Sequence, residues 1–205
     1  MTGKEEIAML TGLILAGGPN TRMNGDPKAL LPFGGETLIE RQIRVMRQIC
    51  REVIVVTREP APLLRLLDKE VRIITDFFGG KGPLAGMHAG FSLAKYDQIW
   101  VAACEMPFLS AKAAELLLES KKSGWNAVLP EVNGSPFPLH AVYDKACAGP
   151  IAALLEKGDY RLSELLKSLH WLGIPEAAFR EKGIDLRFTV SIDTLEDYRQ
   201  ALQSE

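Results

Sequence analysis

The chain has 205 residues, of which 47% are hydrophobic and 24% are charged, and its formal net charge at pH 7 is -2. This length predicts one domain with a sizeable core, while the balanced charge and the lack of a basic run with interleaved aromatic residues exclude a nucleic-acid-binding protein. No apolar stretch is long enough to span a membrane, the N-terminus does not resemble a signal peptide, and three scattered cysteines predict reduced, buried thiols in a cytoplasmic protein.

Short apolar strands alternate with helices over the first 130 residues. Because they are short and continuously apolar, we predict buried strands at TGLILAG (11–17), EVIVVT (52–57), VRIIT (71–75), QIWVAAC (98–104) and NAVLP (126–130). Helical spacing between them predicts helices at 37–50, 61–69, 82–94 and 110–122, the last with Ser110 as its N-cap. This order predicts right-handed βαβ units and an α/β fold of three layers around a mainly parallel sheet.

The pattern is looser after residue 130. We predict a strand at PLHAVYD (138–144), helices around 149–157 and 163–169, a late strand at FTVSIDT (188–194) and a closing helix at 195–203. Asp193 or Thr194 is the expected cap of that last helix. No internal repeat and no low-complexity linker divides the chain, so we predict a single domain over 1–205.

In open α/β sheets, ligands bind beyond the carboxyl ends of the strands. The first strand ends in LAGG, where Gly17 and Gly18 let the backbone approach a ligand, and the following loop holds Arg22 and Lys28. A guanidinium fork and a lysine point charge suit a polyphosphate. The stretch matches neither the Walker P-loop nor G-x-G-x-x-G. On these residues alone, phosphate binding and an ordinary solvated loop remain alternatives.

Three later strand ends also carry polar residues. Asp76 precedes the glycine-rich FFGGKGPLAG, which suits either a ligand or close helix packing. Glu105, in ACEMPF, suits Mg²⁺, which needs few protein oxygens when phosphates and water complete its shell, although a salt-bridged or capping glutamate is the alternative. Asp193, in SIDT, fits a helix cap or a second metal ligand.

Together these motifs resemble those of the molybdenum cofactor guanylyltransferases, a family of nucleotidyltransferases. Seven of them occur in the family's order between Leu13 and Tyr198: LAGG, RMNGDPK, Asp76, GPLAG, ACEMPF, PLHAVY and SIDTLED. The resemblance implies a Rossmann-like nucleotidyltransferase fold, with a nucleotide-binding half over 1–130 and an acceptor-binding half over 131–205.

The resemblance also implies a reaction, in which GMP passes from GTP to the terminal phosphate of molybdopterin or Mo-molybdopterin. The products would be the guanine dinucleotide cofactor and pyrophosphate, and Mg²⁺ would be the cofactor. Since the attacking phosphate is already an anion, positioning and charge neutralisation would do most of the work. Other molybdenum cofactor biosynthesis proteins and apo-molybdoenzymes are implied as protein partners.

The site residues follow from the same resemblance. Catalytic roles are implied for Arg22, Lys28 and Glu105, and metal ligation for Glu105 and Asp193. Nucleotide contacts are implied for Leu15, Ala16, Gly17, Gly18, Lys28, Thr57, Asp76, Gly82 and Glu105. Acceptor contacts are implied for His140, Ser191 and Asp193, although a hydrogen-bonded core histidine on a strand is the alternative for His140.

Several positions depart from the family pattern. Glu105 replaces an aspartate, Ser191 and Asp193 replace two asparagines, Phe137 replaces a glutamine, and Pro27 precedes Lys28 in place of an aspartate. A Pro-Lys pair is common in related transferases that use CTP or sugar phosphates, so a cytidylyltransferase for molybdopterin or another phosphorylated acceptor is one alternative. LAGG rather than LAAG, and C-x-M-P-F rather than C-D-Q-P, favour guanine. A non-catalytic cofactor-binding module is the other alternative, supported only by the glutamate at position 105.

Overall fold

A computed structural model describes residues 9–18 and 27–205 of the chain. Its strands are β1 (Leu10–Leu15), β2 (Pro32–Phe33), β3 (Glu36–Thr37), β4 (Glu52–Val56), β5 (Val71–Ile74), β6 (Gln98–Ala103), β7 (Ala127–Val132), β8 (Ser135–Pro136), β9 (Ala141–Asp144) and β10 (Trp171–Pro175). Its α-helices are α1 (Leu38–Met46), α2 (Pro60–Leu66), α3 (Gly82–Leu93), α4 (Ala111–Ser120), α5 (Ala148–Glu156), α6 (Leu162–Ser168), α7 (Glu176–Glu181) and α8 (Leu195–Gln203). None of the helices in these two ranges is long and apolar enough to cross a membrane.

One mixed sheet forms the middle layer, with the strand order β10-β7-β9-β6-β1-β4-β5 and β8 paired to β7. β1 pairs in parallel with β4 and β6, and β4 pairs in parallel with β5. β9 is antiparallel to both of its neighbours. The predicted mainly parallel α/β fold is therefore confirmed, and the carboxyl ends of β6, β1, β4 and β5 meet at one edge. The division expected after residue 130 falls inside β7, which crosses it without a linker.

The core lies on both faces of this sheet. Leu13 and Ile14, which are neighbours in β1, belong to different buried clusters because successive side chains of a strand point to opposite faces. α3 packs especially close to β1, since a Cβ added to Gly90 would lie 2.4 Å from Leu13 Cδ1. Helices on both faces bury these clusters and hold the strand ends in place.

Local signals placed most of the helices correctly. The Ser110 side chain accepts a hydrogen bond from the Ala113 N–H, which confirms it as the N-cap of α4. Of the two residues proposed to cap α8, Thr194 is the one that does so, in a reciprocal capping box with Asp197. All three cysteines are buried and free, as predicted.

The predicted late strand at 188–194 is wrong. Residues Leu186–Thr189 form a 3₁₀ helix, and the segment that follows pairs with no strand of the sheet. Its apolar alternation reflects the burial of Phe188 and Ile192 against the core rather than a β-ladder. The strand at this edge of the sheet is instead β10, at WLGIP, and α7 follows it. Its sequence does not predict a strand, because a glycine and a proline within five residues are both unfavourable in β-strands.

Candidate active site

The carboxyl edge of the sheet brings the LAGG turn between two other strand ends. The Ala16 N–H donates to the Val56 carbonyl at 2.8 Å, which ties the turn to the end of β4. The Cys104 N–H donates to the Leu15 carbonyl at 3.0 Å, which ties it to the end of β6. Hence the backbone of the turn is held from both sides, as predicted for strand ends of a parallel sheet.

A cavity of about 330 Å³ opens at this edge, and we call it the sheet-edge cavity. Most of the positions expected to contact a nucleotide line it: Leu15, Gly17, Gly18, Thr57, Asp76, Gly82 and Glu105. A neighbouring cavity of about 260 Å³ lies against α2, and Ala16 lines it together with Gly17, Gly18 and Thr57. We call this second space the α2 cavity. The two cavities therefore adjoin each other along the LAGG turn and the end of β4.

Glu105 lies in the turn directly after β6 and lines the sheet-edge cavity. In the part of the chain that the structure describes, its carboxylate has no ion pair, and its hydrogen-bond contact is the weak one from the Cys104 thiol at 3.7 Å. The buried Gln42 of α1 supports this turn, because its Nε2 donates to the Ala103 and Met106 carbonyls at 2.8 Å each. Gln42 had no assigned role in the sequence, where it is simply a polar residue within an amphipathic helix.

The oxygen donors at Glu105 fit Mg²⁺ only if the ion takes most of its ligands from outside the protein. Among residues 9–18 and 27–205, no group of three or more acidic, histidine or cysteine side chains could hold a metal ion. An all-protein cage is thus absent from the described part. The Glu105 carboxylate, which lies on the cavity wall without an ion pair to any described residue, fits a Mg²⁺ ion that takes its remaining ligands from phosphates and water.

Lys28 and Asp193 are brought together from opposite ends of the chain, with 3.0 Å between Nζ and Oδ1. The lysine side chain is only 13% exposed, whereas that of Asp193 is 55% exposed. Close by, the Ile192 N–H donates to the Glu105 carbonyl at 2.8 Å. The SIDT segment thus joins the lysine loop to the turn that carries Glu105. The predicted role of Asp193 as a metal ligand stays a prediction, and the contact that the structure shows is with the ammonium.

Asp76 and Thr57 use their side chains within their own loops. The Asp76 carboxylate accepts hydrogen bonds from the Phe78 and Gly80 N–H groups, both at 3.0 Å to Oδ1. The buried Thr57 hydroxyl accepts one from the Glu59 N–H at 3.1 Å. These bonds shape the ends of β5 and β4 around the cavity, and the expected nucleotide contacts of both residues remain predictions.

His140 does not contact the acceptor substrate as predicted, because its side chain is fully buried and has no exposed surface. Its ring lies between Trp100 and Phe188, with centroid distances of 5.1 and 4.7 Å. Its Nε2 accepts a hydrogen bond from the Ser110 N–H at 3.2 Å, and burial lowers its pKa to about 3. The residue lies just before β9 with φ +73°, so it is a core histidine at a bend rather than one within a strand.

Two predicted positions are not assigned a contact. Arg22 lies outside the described residues. Ser191 is half-buried in the segment between the 3₁₀ helix and α8, next to the Ile192 N–H that binds the Glu105 carbonyl. Its expected contact with an acceptor therefore stays a prediction, as does the catalytic role of Arg22.

Arg58 is a candidate that the sequence reasoning missed. It follows Thr57 at the end of β4 and lines both the sheet-edge cavity and the α2 cavity. The available signal was its place directly after a buried strand, the same position relative to a strand that led to Glu105 after β6 and to Asp76 after β5.

Comparison with known proteins gives consistent results over most of the chain. The sequence profile described as a MobA-like NTP transferase domain matches residues 12–172. A Desulfosudis oleivorans protein named molybdenum cofactor guanylyltransferase is 30% identical over 192 residues, which cover 94% of each chain. A Methanosarcina mazei protein named probable molybdenum cofactor guanylyltransferase is 32% identical over 196 residues, covering 91% of this chain and 87% of its own. The crystal structure of molybdopterin-guanine dinucleotide biosynthesis protein A from Archaeoglobus fulgidus superimposes with a TM-score of 0.81 at 26% identity, covering 95% of this chain and 97% of that one.

Proposed function

Because the chain belongs to the MobA-like NTP transferase family and is a nucleotidyltransferase, we propose that it transfers GMP from GTP to the terminal phosphate of molybdopterin or Mo-molybdopterin. The products are the guanine dinucleotide form of the cofactor and pyrophosphate. The names of the relatives from Desulfosudis oleivorans and Archaeoglobus fulgidus support this choice of substrates.

The observation that carries the proposal is the convergence of three distant segments at one edge of the sheet. The LAGG turn, the loop that holds Lys28 and the turn that holds Glu105 meet there, and the segment around Ile192 and Asp193 joins the last two. An uncommitted carboxylate on the cavity wall, and an ammonium held by Asp193 to the segment that binds the Glu105 turn, suit a metal-bound polyphosphate.

In the proposed reaction, an anionic oxygen of the acceptor phosphate attacks the α-phosphorus of GTP. A new P–O bond forms, the bond from the α-phosphorus to the bridging oxygen breaks, and the electron pair leaves with pyrophosphate. No general base is required, because the attacking oxygen carries no proton. Lys28, held at the edge by Asp193, neutralises charge on the phosphates, and the LAGG backbone fixes the nucleotide beside it. Glu105 would hold Mg²⁺, which would supply further charge neutralisation.

The LAGG turn has room for a base. A Cβ added at Gly18 would meet no atom of residues 9–18 and 27–205 within 4 Å, so in the described part of the chain the second glycine faces open space beside both cavities. The open space is large enough to agree with a purine base, and it therefore supports the preference for guanine that the LAGG motif implies. A cytidylyltransferase with a phosphorylated acceptor is the competing assignment that the experiment must separate.

The decisive experiment is turnover of purified protein with molybdopterin, Mg²⁺ and each of the four nucleoside triphosphates in turn. We expect pyrophosphate release and dinucleotide formation with GTP, and little with ATP, CTP or UTP. A preference for CTP would overturn the guanylyl assignment but not the enzyme class. Glu105→Gln serves as the inactive control, and Glu119→Gln, an exposed glutamate of α4, serves as its matched charge control.

A further inference from the structure

Arg58 lies between two glycine turns at the edge of the sheet. A Cβ added to Gly17 would lie 3.8 Å from Arg58 Cγ, and one added to Gly80 would lie 2.9 Å from Arg58 Nη1. The aliphatic part of the side chain thus follows the LAGG turn, and the guanidinium extends across the loop after β5. With no Cβ at position 80, the guanidinium can lie against the backbone on the wall shared by the two cavities.

The Arg58 guanidinium has no ion pair or side-chain hydrogen bond with any residue that the structure describes, although many of the protein's other arginines pair with acids. Three carboxylates line a cavity together with Arg58: Asp76 accepts hydrogen bonds from the Phe78 and Gly80 N–H groups, and neither Glu59 nor Glu105 pairs with the guanidinium. Five N–H donors of a guanidinium on a cavity wall are therefore available to acceptors on a ligand.

The strand order separates Arg58 from the phosphate end of the site. Glu105 follows β6 and Arg58 follows β4, with β1 between them. Since adjacent strands lie about 4.8 Å apart, the two residues start from strand ends separated by roughly 10 Å. Lys28 and Asp193 are linked to the Glu105 side through Ile192. The sheet-edge cavity runs from Glu105 to Arg58, so a nucleotide whose phosphates lie at Glu105 and Lys28 has room for its base on the Arg58 side.

We propose that Arg58 is a specificity-determining residue, which reads the bound guanine by donating two hydrogen bonds to its O6 and N7 atoms. The planar fork of arginine matches these two adjacent acceptors. Adenine presents an amino group in place of O6, so it does not satisfy the fork. This inference rests on the proposed function and assigns the choice of base to one side chain.

The test is equilibrium binding in Mg²⁺ of GTP, 7-deaza-GTP and CTP to the full chain and to Arg58→Ala, Arg58→Lys and Arg65→Ala. Arg65 lies on α2, is exposed and lines neither cavity, so it is the matched control. A bidentate contact of this kind is worth about 1–3 kcal/mol, so we expect Arg58→Ala to bind GTP about 10-fold or more weakly. The parent protein should bind 7-deaza-GTP, which lacks the N7 acceptor, more weakly than GTP, whereas Arg58→Ala should not distinguish the two. Arg58→Lys should not restore the discrimination, and Arg65→Ala should behave as the parent.

Two results would overturn the inference while leaving the proposed function intact. One is a parent that prefers GTP with no change in Arg58→Ala. The other is an equal loss of GTP and 7-deaza-GTP binding in Arg58→Ala, which would make Arg58 a phosphate contact. If the parent bound CTP as tightly as GTP, the proposed function would be overturned, and with it the inference that Arg58 recognises guanine. Because Arg58 is exposed, unchanged thermal unfolding of its variants is the check that these effects are local.

Discussion

Lys28 and Asp193 form an ion pair with 3.0 Å between Nζ and Oδ1, although 165 positions separate them in the chain. The pair holds the lysine loop against the segment that also binds the Glu105 carbonyl through the Ile192 N–H. One end of the proposed active site is thus assembled from residues near the two ends of the chain and from the turn after β6.

Replacing Lys28 with alanine should lower the turnover rate far more than the stability. Loss of one charge contact at a transferring phosphate costs roughly 3 kcal/mol in the barrier, by analogy with the loss of an oxyanion donor. The ion pair itself contributes little to stability, because its acidic partner is 55% exposed. Turnover and thermal unfolding of parent and variant provide the measurement. Unchanged turnover, or a loss of activity that only follows a lowered melting temperature, would contradict the catalytic role.

Replacing Asp193 with asparagine should lower kcat less than Lys28→Ala does, because it removes the group that positions the ammonium and leaves the ammonium itself. If the residue acts through Lys28, the Mg²⁺ concentration needed for half-maximal activity should not change, and the double variant should be no slower than Lys28→Ala. A Mg²⁺ titration of both single variants and the double variant measures this. A large rise in the Mg²⁺ requirement of Asp193→Asn would instead identify the carboxylate as a metal ligand.

Replacing Glu105 with glutamine should abolish Mg²⁺-dependent turnover and leave the fold intact, since the amide keeps the shape and removes the charge. Glu105→Asp should retain or improve activity, because it restores the residue typical of the family. Turnover across a range of Mg²⁺ concentrations, with Glu119→Gln as the surface control, provides the comparison. If Glu105→Gln were as active as the parent, the metal ligand would have to be sought at Asp76 or Asp193.

The buried His140 should make the protein less stable in mild acid. Its folded-state pKa of about 3 lies below the ordinary value near 6.5, so the unfolded chain binds the proton more readily. The neutral His140 therefore contributes fully to the free energy of unfolding above pH 6.5, and this contribution is lost as the pH falls from 6.5 toward 3. Between pH 7 and pH 5 we expect this group to remove about 2 kcal/mol from the free energy of unfolding.

Denaturant unfolding at pH 7 and pH 5 measures this effect in the parent and in His140→Gln. The glutamine retains an acceptor for the Ser110 N–H but does not titrate. The variant should be less stable at pH 7, because the ring between Trp100 and Phe188 is lost, yet its stability should change less between the two pH values. An equal pH dependence in both proteins would show that the pKa of His140 is the same in the folded and unfolded states.

The amino-acid sequence by itself determined the parallel sheet and the place of the site. The apolar runs of β1, β4, β5 and β6 are local patterns, and the helices between them force the strands into parallel order. Parallel order in turn places LAGG, Thr57, Asp76 and Glu105 at one edge, so their proximity follows from order alone.

Only the tertiary structure decided which groups at that edge are paired and which are open. The alternation from Phe188 to Ile192 is the same for a strand as for an extended segment, and the partner of the Ile192 N–H proved to be the Glu105 carbonyl rather than a sheet edge. The sequence left His140 open between a contact with the acceptor substrate and a core histidine, and its burial identifies it as a core residue. Arg58 had no assigned role in the sequence, and its position between two glycine turns appears only in the structure. The physical reason is that a sequence pattern records whether a side chain is buried, whereas hydrogen bonds and ion pairs depend on distances between residues that the chain keeps far apart.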